Sequence, residues 1–166
     1  DMSVARTIVK KFVGDNKDLI YTIATPASQA AVKETQSIPI IFNAVTDPVK
    51  AGLVKAVESS GNNVTGVSDL IPVKAQIELL LKIVPKVKKL GIIYNAGEDN
   101  SRVLVEMTKG IAKELKLDLV DATVTNSGEV FAATQTLVGR VDGIYVIQDN
   151  TVVSALESVI KVANKN

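Results

Sequence analysis

Apolar positions along this chain switch between a helical and a strand period. Residues 4–12 set Val4, Ile8, Val9 and Phe12 at helical spacing with Lys10 and Lys11 opposite, and Gly14-Asp15-Asn16 supplies a stop. The apolar run over 18–24 predicts a buried strand. Pro26 then opens a helix through Glu34, since it lacks the amide hydrogen that a first helical turn leaves unpaired. A second strand is predicted over 37–45, with Pro39 tolerable near its start. Thr46-Asp47-Pro48 opens a short helix to Val57, ended by Ser59-Ser60-Gly61-Asn62-Asn63.

Residues 63–69, polar at both ends with Gly66 in the middle, read as a crossing segment rather than another core strand. A helix over 72–83 follows, with Ile77, Leu80, Leu81 and Val84 on one stripe, and Pro85 halts it. The pattern then restarts: strand 90–94, helix 101–115, strand 119–124, helix 130–137, strand 143–147, helix 151–162. This alternation predicts an α/β fold of mostly parallel sheets covered by helices, because right-handed crossovers put helices on the sheet faces. Two doubly wound, Rossmann-like lobes are expected, 1–66 as part of the first and 67–166 as the second, with the crossing at about 63–70. The first lobe starts on a helix and the last helix has no strand after it, so the sequence reads as the middle of a longer protein. With two clear core strands, the first lobe is expected to be the less complete and less stable.

The chain has 166 residues, 46% of them hydrophobic, which is enough for one core or two small ones. Nineteen basic against eighteen acidic residues leave a net charge of +1, which argues against a nucleic-acid partner. No apolar run approaches the roughly 20 residues of a membrane helix, and the opening Asp1-Met2-Ser3-Val4-Ala5 lacks a signal-peptide pattern. There is no His and no Cys. That removes His-based nucleophile systems, zinc sites built on those residues, iron–sulfur clusters and disulfides. No metal and no cofactor is expected.

Four times an apolar run breaks into small polar residues that open a helix: Ile23-Ala24-Thr25-Pro26, Val45-Thr46-Asp47-Pro48, Tyr94-Asn95 with Asn100-Ser101, and Ile147-Gln148-Asp149-Asn150-Thr151. A helix start offers unpaired amide hydrogens and the positive end of its dipole, worth roughly 0.3–1 kcal/mol to an exposed anion. Taken singly, Thr25, Asp47, Asn100 or Ser101, and Asp149 or Asn150 are ordinary helix caps. As a set they emerge at the carboxyl edges of parallel sheets, where such folds bind ligands. None is a phosphate loop: the stretch 95–101 has one glycine and no following Lys. Neither Asp47 nor Asp149 has a second carboxylate beside it in sequence, which weakens a phosphoacceptor or metal role. Asn63-Val64-Thr65 matches a glycosylation acceptor, but turn chemistry accounts for the Asn. Tyr21 and Tyr145 read as packing residues, whereas Tyr94, just before a junction, is a candidate ligand contact.

The wording of the junctions carries a resemblance. Thr25-Pro26-Ala27-Ser28-Gln29-Ala30, Ile38-Pro39-Ile40-Ile41-Phe42 running into Val45-Thr46-Asp47-Pro48-Val49, and Asn63-Val64-Thr65-Gly66-Val67-Ser68-Asp69 occur in order. Gly91-Ile92-Ile93-Tyr94-Asn95 with Glu98 and Asn100-Ser101, then Tyr145-Val146 with Asp149 through Ala155, continue the series. Over essentially its whole length the chain resembles the substrate-binding proteins of ABC transporters, in the branch associated with tryptophan and tyrosine uptake.

That resemblance implies a type 1 periplasmic-binding-protein fold, two α/β lobes that close on a small molecule in the cleft between them. It implies a non-enzymatic solute-binding component that captures an amino acid and hands it to a membrane permease. It also implies an extracytoplasmic protein, lipid-anchored or secreted; the chain departs from the family in length, which is expected to leave sheet edges exposed through which it could dimerise. The ligand contacts expected are Thr25, Pro26, Ala27, Thr46, Asp47, Tyr94, Asn100, Ser101, Asp149, Asn150 and Thr151. The carboxylate of the ligand would take helix-start amides and the hydroxyls of Thr25 and Ser101, and its ammonium an acid such as Asp149 or Asp47. Two rival readings are the effector-sensing domain of a transcription regulator or receptor with the same fold, and a flavodoxin-like enzyme using Asp47 or Asp149 as phosphoacceptor.

Overall fold

Each half of the chain builds its own three-stranded parallel sheet. The computed structural model describes residues 2–166 and separates into two units, Asp1–Ile71 and Pro72–Asn166. The division falls after Ile71, and residues 67 and 68 lie in a strand of the first sheet. Two parallel sheets with helices are the α/β architecture that the alternation predicts.

The first unit runs α1 (Met2–Gly14), β1 (Ile20–Ile23), α2 (Thr25–Glu34), β2 (Ile40–Val45), β3 (Val64–Ser68), with strand order β1-β2-β3. Ile20, Ile40 and Val64 stand in register across the three strands and are all buried. Val9 of α1, Ala30 and Ala31 of α2, and Phe42, Val45 and Leu53 complete the core. Of the α1 stripe only Val9 is buried, while Val4, Ile8 and Phe12 remain exposed.

Two expectations are corrected in this unit. Residues 63–69, expected to hold no further sheet strand, contain β3, an edge strand paired in parallel with β2. Gly66 is what permits it: a Cβ there would lie 2.1 Å from the Phe42 carbonyl oxygen and 2.5 Å from the Phe42 ring. Only Val64 of β3 is buried, so the strand lacks the apolar signature of its neighbours. The first sheet therefore has as many strands as the second, and the strand-count argument for a weaker first lobe falls. Residues 46–57 form turns instead of a helix. The Pro48 carbonyl oxygen accepts from the Leu53 and Val54 amides, and Gly52 at φ 71° turns the chain away from helical continuation.

The second unit runs α3 (Val73–Ile83), β4 (Lys89–Asn95), α4 (Asp99–Glu114), β5 (Asp118–Val124), a short 3₁₀ turn (Ser127–Glu129), α5 (Val130–Leu137), β6 (Gly143–Tyr145), α6 (Asn150–Val153) and α7 (Leu156–Ala163), with strand order β5-β4-β6. The central strand β4 buries Leu90, Gly91, Ile92 and Ile93, the continuous apolar run expected of a strand covered on both faces. Of the stripe predicted on α3 only Ile77 is buried, Leu80 and Leu81 are half-buried and Val84 is exposed, while Val73, outside that stripe, is buried. The helix expected over 151–162 is broken into α6 and α7, with Ala155 at φ −122° between them. The strand expected over 143–147 stops at Tyr145, although Ile147 stays buried. Among the described residues no helix is long and apolar enough to cross a membrane.

Because the strands of each unit are parallel, all their carboxyl ends lie at one edge of that unit's sheet. Ala24-Thr25, Thr46-Asp47 and Ser68-Asp69 occupy that edge in the first unit, and Asn95 to Ser101 and Gln148 to Thr151 in the second.

Candidate functional site

In the second unit two buried carboxylates brace the loops that follow β4 and β6. Asp149, with no exposed surface, accepts hydrogen bonds from the Asn95 amide (2.6 Å), the Ser101 hydroxyl (2.6 Å) and the Val152 amide (2.8 Å). The last of these caps α6. Glu98, 8% exposed, takes the main-chain and side-chain donors of two successive residues. Its Oε2 accepts from Asn150 N (3.1 Å) and Asn150 Nδ2 (2.6 Å), and its Oε1 from Thr151 N (3.0 Å) and Thr151 Oγ1 (2.7 Å). Burial pushes the Glu98 carboxyl up, but the donors of Asn150, Thr151 and Asn100 outweigh it and hold the group below its ordinary value.

This arrangement consumes donors. The Ser101 proton goes to Asp149, and Asn100 Nδ2 donates to Glu98 Oε2 (3.2 Å) and to the Gln148 carbonyl (2.9 Å). Asn95 Nδ2 donates to Thr151 Oγ1 (2.9 Å). Exposed Asn150 gives its main-chain amide and one Nδ2 hydrogen to Glu98, and its Oδ1 is left as an acceptor. Asn100 Oδ1 is buried without a hydrogen-bond partner.

The first unit has a helix start of its own at its carboxyl edge. Its α2 starts after Ala24, held at φ 74° and ψ 156°, a backbone region almost confined to glycine. Ala24 provides no side-chain cap, and Pro26 has no amide hydrogen. The Thr25 and Ala27 amides stand in the first turn, where an α-helix leaves its N–H groups without intrahelical acceptors. Thr25 is 2% exposed and its Oγ1 has no hydrogen-bond partner, so a hydroxyl without a partner sits beside free helix-start amides. Asp47 is half-buried and caps its own turn, its Oδ1 accepting from Val49 N (3.1 Å) and Lys50 N (2.9 Å). Thr46 is buried, and its carbonyl accepts from the Ser68 hydroxyl at 2.9 Å. Thr46, Asp47, Phe42, Gly66 and Leu70 also line a groove of about 620 Å³ in this unit.

The structure thus gathers Thr25, Pro26, Ala27, Thr46 and Asp47 at one carboxyl edge and Asn100, Ser101, Asp149, Asn150 and Thr151 at the other. Asp149, expected as an ammonium partner, instead spends both carboxylate oxygens on loop donors, and Ser101 has no proton left for a ligand carboxylate. Tyr94 turns to β5, where its hydroxyl reaches Asp121 Oδ2 at 3.3 Å. Among the described residues no group of three acidic side chains is placed to hold a metal ion. Glu98, which braces the loop, is the residue whose role the sequence reading missed. Between Gly97 and Asp99 it looks like a solvated turn, and its partners lie 52 and 53 positions away, beyond any local pattern.

Comparison with known proteins agrees with the motif resemblance. The sequence profile of a family described as ABC transporter substrate binding protein matches residues 1–166. A tyrosine-binding protein from Clostridioides difficile (strain R20291) is 47% identical over 166 residues, which is 100% of this chain and 48% of the relative. The crystal structure of an ABC domain from Streptococcus pneumonia in complex with L-Trp is 37% identical, with a TM-score of 0.96, covering 99% of this chain and 56% of that one. A leucine binding protein from Thermotoga maritima, 14% identical with a TM-score of 0.66, covers 98% of this chain and 47% of that one and shares the fold. The chain spans about half the length of these relatives. Proteins of this kind bind a substrate rather than transform it, and the chain belongs to the ABC transporter substrate binding protein family.

Proposed function

We propose that this chain belongs to a protein that captures an aromatic amino acid, tyrosine or tryptophan, outside the cytoplasm and delivers it to an ABC permease. Kinship over the full length of the chain with a tyrosine-binding protein carries this reading. The hydrogen-bonding character of the two edges supports it. The Thr25 hydroxyl and the first amides of α2 suit a carboxylate, and the acceptor Asn150 Oδ1 suits an ammonium. In this reading Ser101, Asn100 and Asp149 hold the loops, and Asp47 shapes the neighbouring turn.

A thermal-shift screen of the full-length protein against the twenty amino acids tests the proposal. A ligand at a hundredfold excess over its Kd stabilises the native state by about 2.7 kcal/mol, so tyrosine or tryptophan should raise Tm by roughly 5–10 °C. A screen in which no aromatic amino acid moves Tm contradicts the assignment.

A further inference from the structure

We infer that Glu98 is a positioning residue for Asn150: by accepting from the Asn150 main-chain amide and from Nδ2 it fixes the side-chain amide so that Oδ1, and not Nδ2, is left as the acceptor for a ligand ammonium. The inference rests on the proposed capture of an amino acid, and it concerns a residue that would not itself touch the ligand.

The argument is one of orientation. An Asn side chain can present either its carbonyl oxygen or its NH₂ group to a ligand, and its neighbours decide which. Here Glu98 Oε2 lies 2.6 Å from Asn150 Nδ2 and 3.1 Å from the Asn150 amide, so the side-chain amide cannot rotate without setting an oxygen against a carboxylate. Thr151 is tied the same way through its amide and hydroxyl to Oε1. Glu98 itself is held, because Asn100 Nδ2 donates to its Oε2 while also gripping the Gln148 carbonyl. The carboxylate is only 8% exposed, so water does not compete freely for these donors. Glu98 thus acts through Asn150.

The prediction is read from discrimination rather than from affinity alone. In the full-length protein, Kd is measured for L-tyrosine and for its deamino analogue, the corresponding hydroxyphenylpropionate, in the wild type, Glu98→Ala, Asn150→Ala, the double variant and Glu98→Gln. A hydrogen bond between an ammonium and a fixed acceptor corresponds to about tenfold in affinity. Glu98→Ala and Asn150→Ala should each reduce the preference for the amine-bearing ligand by about tenfold, and the double variant should lose no more than either. Glu98→Gln, whose carbonyl can stay against Asn150 while its NH₂ group loses the bond from the Thr151 amide, should retain the preference at a cost in stability. Equal weakening of both ligands in Glu98→Ala, or an unchanged preference in Asn150→Ala, overturns the inference while leaving amino-acid capture intact. Asn150 is exposed, so its variant decides the matter even if Glu98→Ala does not fold. A wild type that binds neither compound contradicts the proposed function instead. The NMR signals of the Asn150 side-chain amide then decide the inference: slow exchange in the wild type that is lost in Glu98→Ala supports it, and fast exchange in the wild type overturns it.

Discussion

The Ser101 hydroxyl donates to Asp149 Oδ2 at 2.6 Å, joining the start of α4 to the loop before α6 across 48 positions of sequence. Both residues are fully buried, and the same carboxylate oxygen takes the Asn95 amide. Replacing Asp149 by Asn keeps the shape but turns an NH₂ group against at least one of these donors. A buried donor left unpaired costs roughly 1–3 kcal/mol, more beside a charged partner. Asp149→Asn should therefore destabilise the second unit by about 2–3 kcal/mol. Urea denaturation followed by hydrogen exchange in residues 89–163 measures it, and stability equal to the wild type would mean that the bond carries no weight.

Acid should weaken this unit through Glu98. Its carboxyl is held below the ordinary 4.5 in the folded protein, so the native state favours the ionised form. The resulting stabilisation is fully present above the unfolded value and disappears as pH falls through the lower, folded value. Exposed Glu129 and Asp142, also lowered by hydrogen bonds from backbone amides, act in the same direction. A Tm series from pH 7 downward should fall on the acid side of pH 4.5, and the fall should be shallower in Glu98→Gln. Parallel curves for the two proteins would remove Glu98 from the account.

Gly66 should tolerate no side chain. A Cβ at 2.1 Å from the Phe42 carbonyl oxygen meets main chain of the paired strand, which cannot move aside as a flexible side chain would. Overpacking of this kind costs typically about 1–3 kcal/mol, so Gly66→Ala should destabilise the first unit by at least that much. Denaturant unfolding of the variant measures the loss, and an unchanged midpoint would show that β3 does not pair as closely as described.

How much of this was legible in the sequence depended on how local the cause was. The central strand β4 announced itself, because Leu90, Ile92 and Ile93 are apolar on both faces of a covered sheet. Strand β3 did not: at the sheet edge only Val64 needs to be buried, and Gly66 reads as a linker until the Phe42 backbone is seen against it. Asp47 and Pro48 carry the signature of a helix start, and Asp47 does cap the next amides. Burial of Ala51 and Leu53 and the left-handed Gly52 then pull the chain into turns. At the candidate site, the strand-end rule picked out residues that the structure places at the carboxyl edges of the two sheets. The roles within them were hidden, since whether Ser101 faces a ligand or donates to Asp149 is decided by tertiary contacts.

Calorimetric titration of the full-length protein with L-tyrosine and L-tryptophan, for the wild type and Thr25→Ala, tests the central claim most directly. The account predicts saturable binding of at least one of the two, weakened about tenfold when the buried Thr25 hydroxyl is removed. No binding of either by the folded wild type would contradict it.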